Sequence, residues 1–173
     1  MEEVNDPEKW LRRFSRYAPL FIWIGVIFYL SSQAGAASET SRFLGPLIQY
    51  FFPEMLPESR QMIHAIIRKS AHFFEYAVLA ALVIRAFSLS SLSKLRKNRF
   101  VLAIIFSGII ASIDEFNQSL NPARTGLVTD VLLDLSGAIF ATLLVYSFYR
   151  FRYPYANHHD PMPGHSPPRS TLE

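Results

Sequence analysis

Apolar residues in this chain are gathered into long runs that are separated by short charged segments. A membrane-crossing helix needs about 17–25 mostly apolar residues, and backbone inside lipid must satisfy its own hydrogen bonds, which favours helices. The first run is short, but it extends back through Leu11 and Phe14. The pattern therefore predicts an all-α protein, a four-helix transmembrane bundle. The four runs are approximately Tyr17–Leu30, Ala71–Phe87, Phe100–Phe116 and Leu127–Tyr149.

Lysine and arginine flank these runs unevenly, which predicts the orientation in the membrane. Cytoplasmic loops carry an excess of both residues close to the ends of the spans. We therefore expect both termini in the cytoplasm, with the connections after the first and third runs outside. The dense basic side contains Lys9, Arg12, Arg13, Arg16, Arg85, Lys94, Arg96, Lys97, Arg99, Arg150 and Arg152. The other side spreads fewer cations over more sequence: Arg42, Arg60, Arg68, Lys69 and Arg124.

The long connection after the first run predicts an outer loop that contains an amphipathic helix. Pro57 and Glu58 resemble a helix start, with proline and an acidic residue in the first turn. Apolar residues then recur at helical spacing, including Met62 and Ile66. Such a helix rests on the membrane surface by default, and a lid over polar residues is the alternative.

The ends of the chain are predicted to lie outside the membrane domain. Residues 1–16 are expected to form a cytoplasmic segment, residues 17–151 the membrane domain, and residues 152–173 a disordered, Pro-rich cytoplasmic tail. The first run followed by Ala34-Gly35-Ala36 also resembles a secretory signal with a small-residue cleavage site. The long polar stretch before the run favours a retained helix.

The composition argues against several kinds of chemistry and one class of partner. The chain has no cysteine, which excludes disulfides, thiolate metal sites and cysteine nucleophiles. The formal net charge of +3 does not indicate a nucleic-acid partner. The lipid bilayer is the partner that the pattern itself predicts.

Several charged and polar side chains nevertheless lie within the apolar runs. A charge at the centre of a transmembrane helix costs about 2.5–3.5 kcal/mol on insertion scales, so such residues usually face a bundle interior or a watery cavity. The predicted topology brings them all to the outer ends of the helices, and spacings of three or four residues place those of one helix on one face. We therefore expect a shared polar pocket in the outer leaflet, in which carboxylates outnumber fixed cations.

The expected pocket supplies two groups of candidate residues. The candidates for acid–base chemistry are His72, Glu75, Asp114 and Glu115. The candidates for ligand contact are Gln33, Lys69, Tyr76, Gln118, Arg124, Asp130 and Asp134. Of these, Lys69 or Arg124 is expected to contact a carboxylate. On the fourth run, small residues continue along the same face and would let a neighbouring helix approach closely. They are Gly137, Ala138 and Ala141.

A metal site is not predicted, and no cofactor is assigned. His72 and Glu75 have the spacing of a ligand pair on one helix. Carboxylate-bridged bundles use the opposite order, Glu-x-x-His, and take it from two helices. The apolar runs of this chain contain one histidine.

The ordered combination of polar residues resembles the VanZ-like family of bacterial membrane proteins. The resemblance covers approximately residues 20–148. This sequence has Asn121-Pro122-Ala123-Arg124 where a Pro-Gly-Arg-like turn is expected. The resemblance rests on Ser31-Ser32-Gln33, Lys69-x-x-His72-Phe73-x-Glu75-Tyr76, Asp114-Glu115-x-x-Gln118, Arg124, Asp130, Asp134 and Gly137. The family takes its name from a protein associated with teicoplanin resistance. The resemblance implies a bacterial plasma-membrane protein and does not imply that this chain confers resistance.

Two functions fit the expected pocket equally well. One is an enzyme that acts on a lipid-linked or cell-wall substrate, because histidine beside carboxylates performs acid–base chemistry and cations hold phosphate or carboxylate groups. The other is a non-catalytic protein that binds such a ligand. A transporter is less favoured, because four helices without a repeat leave little room for alternating access. A salt-bridged network that only holds helices together is the remaining alternative.

Overall fold

The computed structural model describes residues 7–32, 45–120 and 128–152 of the chain. Within these ranges the regular secondary structure is helical, without strands. Five helices have defined bounds: α1, Pro7–Ser31; α2, Pro57–Ser88; α3, Ser93–Lys97; α4, Arg99–Ser119; and α5, Val128–Arg152. Residues 45–51 are also helical.

Four of these helices are long and apolar enough to cross a membrane. They are Phe14–Ser31 within α1, and the whole of α2, α4 and α5. At a rise of about 1.5 Å per residue, the 21 residues of α4 span about 32 Å, close to the thickness of the hydrocarbon core. The prediction of an all-α protein with four transmembrane helices is confirmed.

The helix α2 differs from the sequence prediction in one respect. A helix start at Pro57 was expected for a surface helix separate from the second span, but the structure contains one unbroken helix of 32 residues. No proline or glycine interrupts it after its first residue, so no local signal ends it before the span. Its length of about 48 Å exceeds a hydrocarbon core of about 30 Å. Residues 57–71 are mostly exposed, so this end extends beyond the packed bundle.

The core of the bundle forms around α2, which packs against α1, α4 and α5. Leu79 and Val83 of α2 are fully buried, together with Ile27 of α1 and Ala111 of α4. Many large apolar side chains face outward instead, such as Phe148 on α5. Lipid tails are as apolar as these side chains, so their outward exposure agrees with a bilayer environment.

Small residues bring α2 and α5 unusually close. Ala77 and Ala80 of α2 form a buried cluster with Ala138 and Ala141 of α5. A Cβ atom added to Gly137 would lie 2.9 Å from the carbonyl carbon of Phe73, and closer still to its oxygen. The prediction that the small residues of the fourth span allow a close helix approach is therefore confirmed.

Candidate functional site

Polar side chains from four helices meet at one end of the bundle. The C-terminal ends of α1 and α4 lie beside the N-terminal part of α5 and the middle of α2, because consecutive spans run in opposite directions. On α2, α4 and α5, the polar residues that are three or four positions apart lie on the faces that these helices turn toward one another. We call this group the polar cluster; its described members are Ser31, Lys69, His72, Glu75, Tyr76, Asp114, Glu115, Gln118, Asp130 and Asp134.

Asp114 is the centre of a hydrogen-bonded network that joins three helices. Its Oδ2 accepts hydrogen bonds from Ser31 Oγ at 2.8 Å and from Gln118 Nε2 at 2.9 Å. Tyr76 Oη donates to the same oxygen at a longer 3.5 Å. Gln118 Nε2 also lies 3.3 Å from Ser31 Oγ. Asp114 is 1% exposed and Tyr76 is fully buried, so the network ties α1, α2 and α4 together away from water.

His72 lies between two carboxylates on different helices. Its Nδ1 is 3.7 Å from Asp134 Oδ1 on α5 and 3.9 Å from Glu75 Oε2 on α2. These distances exceed those of a hydrogen bond, and both contacts become ion pairs only when the histidine is protonated. Asp134 is 2% exposed, whereas the His72 side chain is 24% exposed. The histidine therefore connects a buried acid with the surface of the bundle.

Lys69 and Asp130 form the rim of the cluster. Lys69 Nζ lies 3.9 Å from Asp130 Oδ1, and their side chains are 55% and 27% exposed. The expected contact between a basic residue and a carboxylate is thus present for Lys69. Glu115 lies next to Asp114 on α4 and is buried.

Three aspartate oxygens in the cluster are buried without a hydrogen-bond donor among the described residues. They are the Oδ1 atoms of Asp114, Asp130 and Asp134. Buried polar atoms in native proteins nearly always have a hydrogen-bond partner, and leaving one unsatisfied costs about 1–3 kcal/mol. The ion-pair contacts of Asp130 and Asp134 are too long to count as hydrogen bonds. The cluster therefore presents free acceptor capacity.

Two predicted site residues, Gln33 and Arg124, lie outside the described residues. The other nine belong to the polar cluster. Among the described histidine, aspartate and glutamate side chains, no group of three or more has an arrangement that could hold a metal ion.

The structure gives Ser31, one of the motif residues at the end of the first run, a partner in Asp114. It also adds one residue that the sequence did not assign to the site. Trp23 Nε1 donates to the backbone carbonyl of Glu75 at 3.0 Å and so fixes α1 against α2 at this depth. No sequence signal pairs Trp23 with a backbone group 52 residues away, because the contact depends on how the two helices pack.

Comparison with known protein families supports the resemblance found in the sequence. A family model described as VanZ/LLP1 matches residues 17–150, close to the approximate range 20–148 expected from the motifs. No curated protein and no solved structure matches the chain. Because the family model covers most of the chain, including every residue of the polar cluster, this protein belongs to the VanZ-like family.

Proposed function

We propose that this VanZ-like protein binds the polar headgroup of a lipid-linked or cell-wall ligand in the extracytoplasmic leaflet. The observation that carries the proposal is the set of three buried aspartate oxygens without a described hydrogen-bond donor. A network that served only to hold helices together would be expected to satisfy its own buried acceptors. The headgroup of a ligand would supply the missing donors.

The chemistry of the cluster favours a particular kind of headgroup. Carboxylate oxygens accept hydrogen bonds from hydroxyl, amide or ammonium groups, and the sugar and peptide parts of envelope precursors carry such groups. Lys69 at the rim is half-exposed and suits a phosphate or carboxylate on the same ligand. A lipid-linked sugar or peptide would then place its polar part against Asp114 and Asp134 and its tail along the apolar surface of the helices.

The proposed location follows from the basic residues. Their density near the opposite end of the bundle favours a cytoplasmic position for that end, so the polar cluster would face the outside of a bacterial plasma membrane. Residues 17–151 would form the membrane domain, flanked by cytoplasmic segments at residues 1–16 and 152–173. The family's association with teicoplanin resistance makes susceptibility to that antibiotic a useful cellular readout.

An enzyme is a second candidate because of one specific contact. Ser31 Oγ donates to Asp114 Oδ2 at 2.8 Å, which places a hydroxyl beside a carboxylate in the site. A hydroxyl nucleophile requires an adjacent base, and this pair provides one. Turnover of a lipid-linked precursor by the purified protein, lost in Ser31→Ala, would support catalysis over binding alone.

The binding proposal is tested by the lipids and glycolipids that remain on gently purified protein. We expect mass spectrometry to detect a defined envelope ligand on the wild type and to find it depleted on Asp134→Asn. Thr142→Val is the matched control, because Thr142 is also buried on α5 but its Oγ1 donates to Ala138 O within the helix. Equal ligand content in both variants, or no specific ligand on the wild type, would contradict the proposal.

A further inference from the structure

A second buried group of charges lies at the opposite end of the bundle from the polar cluster. Arg99, the first residue of α4, is only 2% exposed. Its guanidinium carbon lies 4.8 Å from the ring centre of Phe100 and 5.2 Å from that of Tyr149 on α5. Its Nη1 donates to the backbone carbonyl of Arg96 at 2.8 Å. A full positive charge is therefore enclosed where α3, α4 and α5 meet.

Arg96 extends this group toward the surface. Its Nη1 donates to the carbonyl oxygens of Ser90 at 2.8 Å and Ser91 at 3.3 Å, at the turn that follows α2. The side chain is half-buried, and Lys94 and Lys97 of the same short helix are exposed. The two arginines lie three residues apart at the junction of α3 and α4, and Arg96 is the more exposed of the two.

Three donors of the arginine pair are buried without a hydrogen-bond acceptor among the described residues. They are Arg96 Nε, Arg99 Nε and Arg99 Nη2. The adjacent aromatic rings attract a cation, but they carry no counter-charge. A buried charge without a described counter-charge is expensive, and the three nitrogen atoms without acceptors add to that cost.

The carboxylates whose side chains the structure describes are too far away to neutralise this pair. Asp114 lies 15 residues along α4 from Arg99, which corresponds to about 22 Å of helix. Asp134 and Glu75 are at the same end of the bundle as Asp114. Glu54 precedes α2 and Glu58 lies in its first turn, farther away still. An anion other than a described side chain is needed to balance the arginines.

We infer that Arg96 and Arg99 form a binding site for a phosphate group at the end of the bundle opposite the polar cluster. Guanidinium groups present paired N–H donors that match the oxygens of a phosphate. The N-terminus of α4 adds to the attraction, because its first N–H groups lack intrahelical acceptors and Asn98 makes no side-chain capping bond. The exposed lysines of α3 would guide the anion to the site. The phosphate can come from a phospholipid headgroup or from a soluble anion.

The test measures the thermal stabilisation of the full-length protein in neutral detergent by three probes: phosphatidylglycerol, phosphatidylcholine and inorganic phosphate. We expect phosphatidylglycerol to stabilise the wild type at lower concentration than phosphatidylcholine. Arg96→Gln should weaken this response about tenfold, as expected for loss of a charge-assisted hydrogen bond. Arg152→Gln is the matched control, because it removes the same charge from an exposed position in the last turn of α5.

Each outcome decides the question. Stabilisation by inorganic phosphate equal to that by phosphatidylglycerol, with the same dependence on Arg96, would support the site and identify a soluble anion as its ligand. An equal loss in Arg96→Gln and Arg152→Gln would show general attraction to the basic surface and overturn the site. The phosphate of phosphatidylcholine is paired with its own choline, so no preference of the wild type for either anionic probe over this zwitterionic lipid would also overturn it. If Arg96→Gln and Arg96→Lys both fail to fold while Arg152→Gln folds, the arginines are a structural clamp and the inference is wrong.

Discussion

Asp114 and Asp134 are the same residue type at the same end of the bundle, but their surroundings differ. Asp114 Oδ2 accepts hydrogen bonds from Ser31, Tyr76 and Gln118, which belong to three helices. Asp134 faces the imidazole of His72 at 3.7 Å and makes no close contact of that kind among the described residues. We infer that Asp114 holds the helices in place through Oδ2 and leaves only Oδ1 for a ligand, whereas Asp134 serves the ligand alone.

This difference predicts opposite results for two equivalent substitutions. Asp114→Asn should lower the free energy of unfolding by about 1.5–3 kcal/mol, because it weakens hydrogen bonds to a charged acceptor. Asp134→Asn should leave thermal stability close to that of the wild type while reducing ligand retention. Thermal unfolding in detergent measures the first effect, and mass spectrometry of the retained ligand measures the second.

Removal of an uncharged hydroxyl group from α4 provides the control for the stability measurement. Ser112 is exposed, and its Oγ donates to Gly108 O within the helix, so Ser112→Ala should change thermal stability little. If Asp134→Asn destabilises the protein as much as Asp114→Asn does, the whole cluster acts as a structural network. The proposed ligand site would then lose its main support.

The spacing of polar residues in the sequence predicted which side chains lie close together, but not which of them form hydrogen bonds. The high cost of burying polar groups in lipid and the three- and four-residue spacings were sufficient to bring His72, Asp114 and Asp134 together. The partner of Asp114 on α1 depends on how far that helix is rotated about its axis. Ser31 lies 83 residues away in sequence, and no local pattern encodes that rotation.

At the scale of helices, the contact between α2 and α5 sets the geometry of the cluster. Gly137 of α5 lies directly against the backbone of Phe73, one residue after His72. The spacing between these helices therefore controls the distance between His72 and Asp134. Any side chain at position 137 would push the two apart.

Gly137→Ala should therefore destabilise the protein, although alanine is the better helix former. Its Cβ would lie 2.9 Å from the Phe73 carbonyl carbon, and overpacking of this kind typically costs about 1–3 kcal/mol. Gly108→Ala is the matched control, because its nearest neighbour would be Leu135 Cδ1 at an ordinary 3.6 Å. Thermal unfolding of both variants measures the difference. Equal stability of the two variants would show that the close approach is not required.

The full length of α2 could not be predicted from the hydropathy of the sequence. Hydropathy marked the second span at approximately Ala71–Phe87, and the proline and acid at residues 57 and 58 marked a helix start correctly. Whether the two pieces form one helix depends on the backbone between them. Neither glycine nor proline stands there to break it, and the structure shows a single helix. Hydropathy indicates which part of such a helix lies in lipid. It does not indicate whether the helix continues beyond that part.

The first helix is predicted to remain in the mature protein. Leu20 and Ile27 of α1 are buried in the core, and Ser31 bonds Asp114, so cleavage after α1 would expose apolar core and remove part of the site. Sequencing the N-terminus of protein purified from membranes tests this directly. A mature chain that begins at or near Ala37 would contradict the prediction and leave three membrane-spanning helices.

At the scale of the whole molecule, the acidic and basic residues of α3, α4 and α5 lie at opposite ends of the bundle. The carboxylates of α4 and α5 lie in the polar cluster, whereas the last turns of α2 and α5 and the whole of α3 carry basic residues and no acid. This separation is the basis for the proposed orientation, because basic residues near the ends of spans favour the cytoplasmic side. The opposite orientation in the membrane would exchange the sides of both the proposed ligand site and the arginine pair.

Single cysteines test this orientation without interference, because the chain has no native cysteine. Ser119 at the end of α4 and Ser93 at the start of α3 are both exposed and lie toward opposite ends of the bundle. A membrane-impermeant thiol reagent added to intact cells should label Ser119→Cys and not Ser93→Cys. Both should react after the membrane is permeabilised, which controls for accessibility. Labelling of Ser93→Cys alone in intact cells would invert the topology, and the polar cluster would then face cytoplasmic ligands instead of the cell envelope.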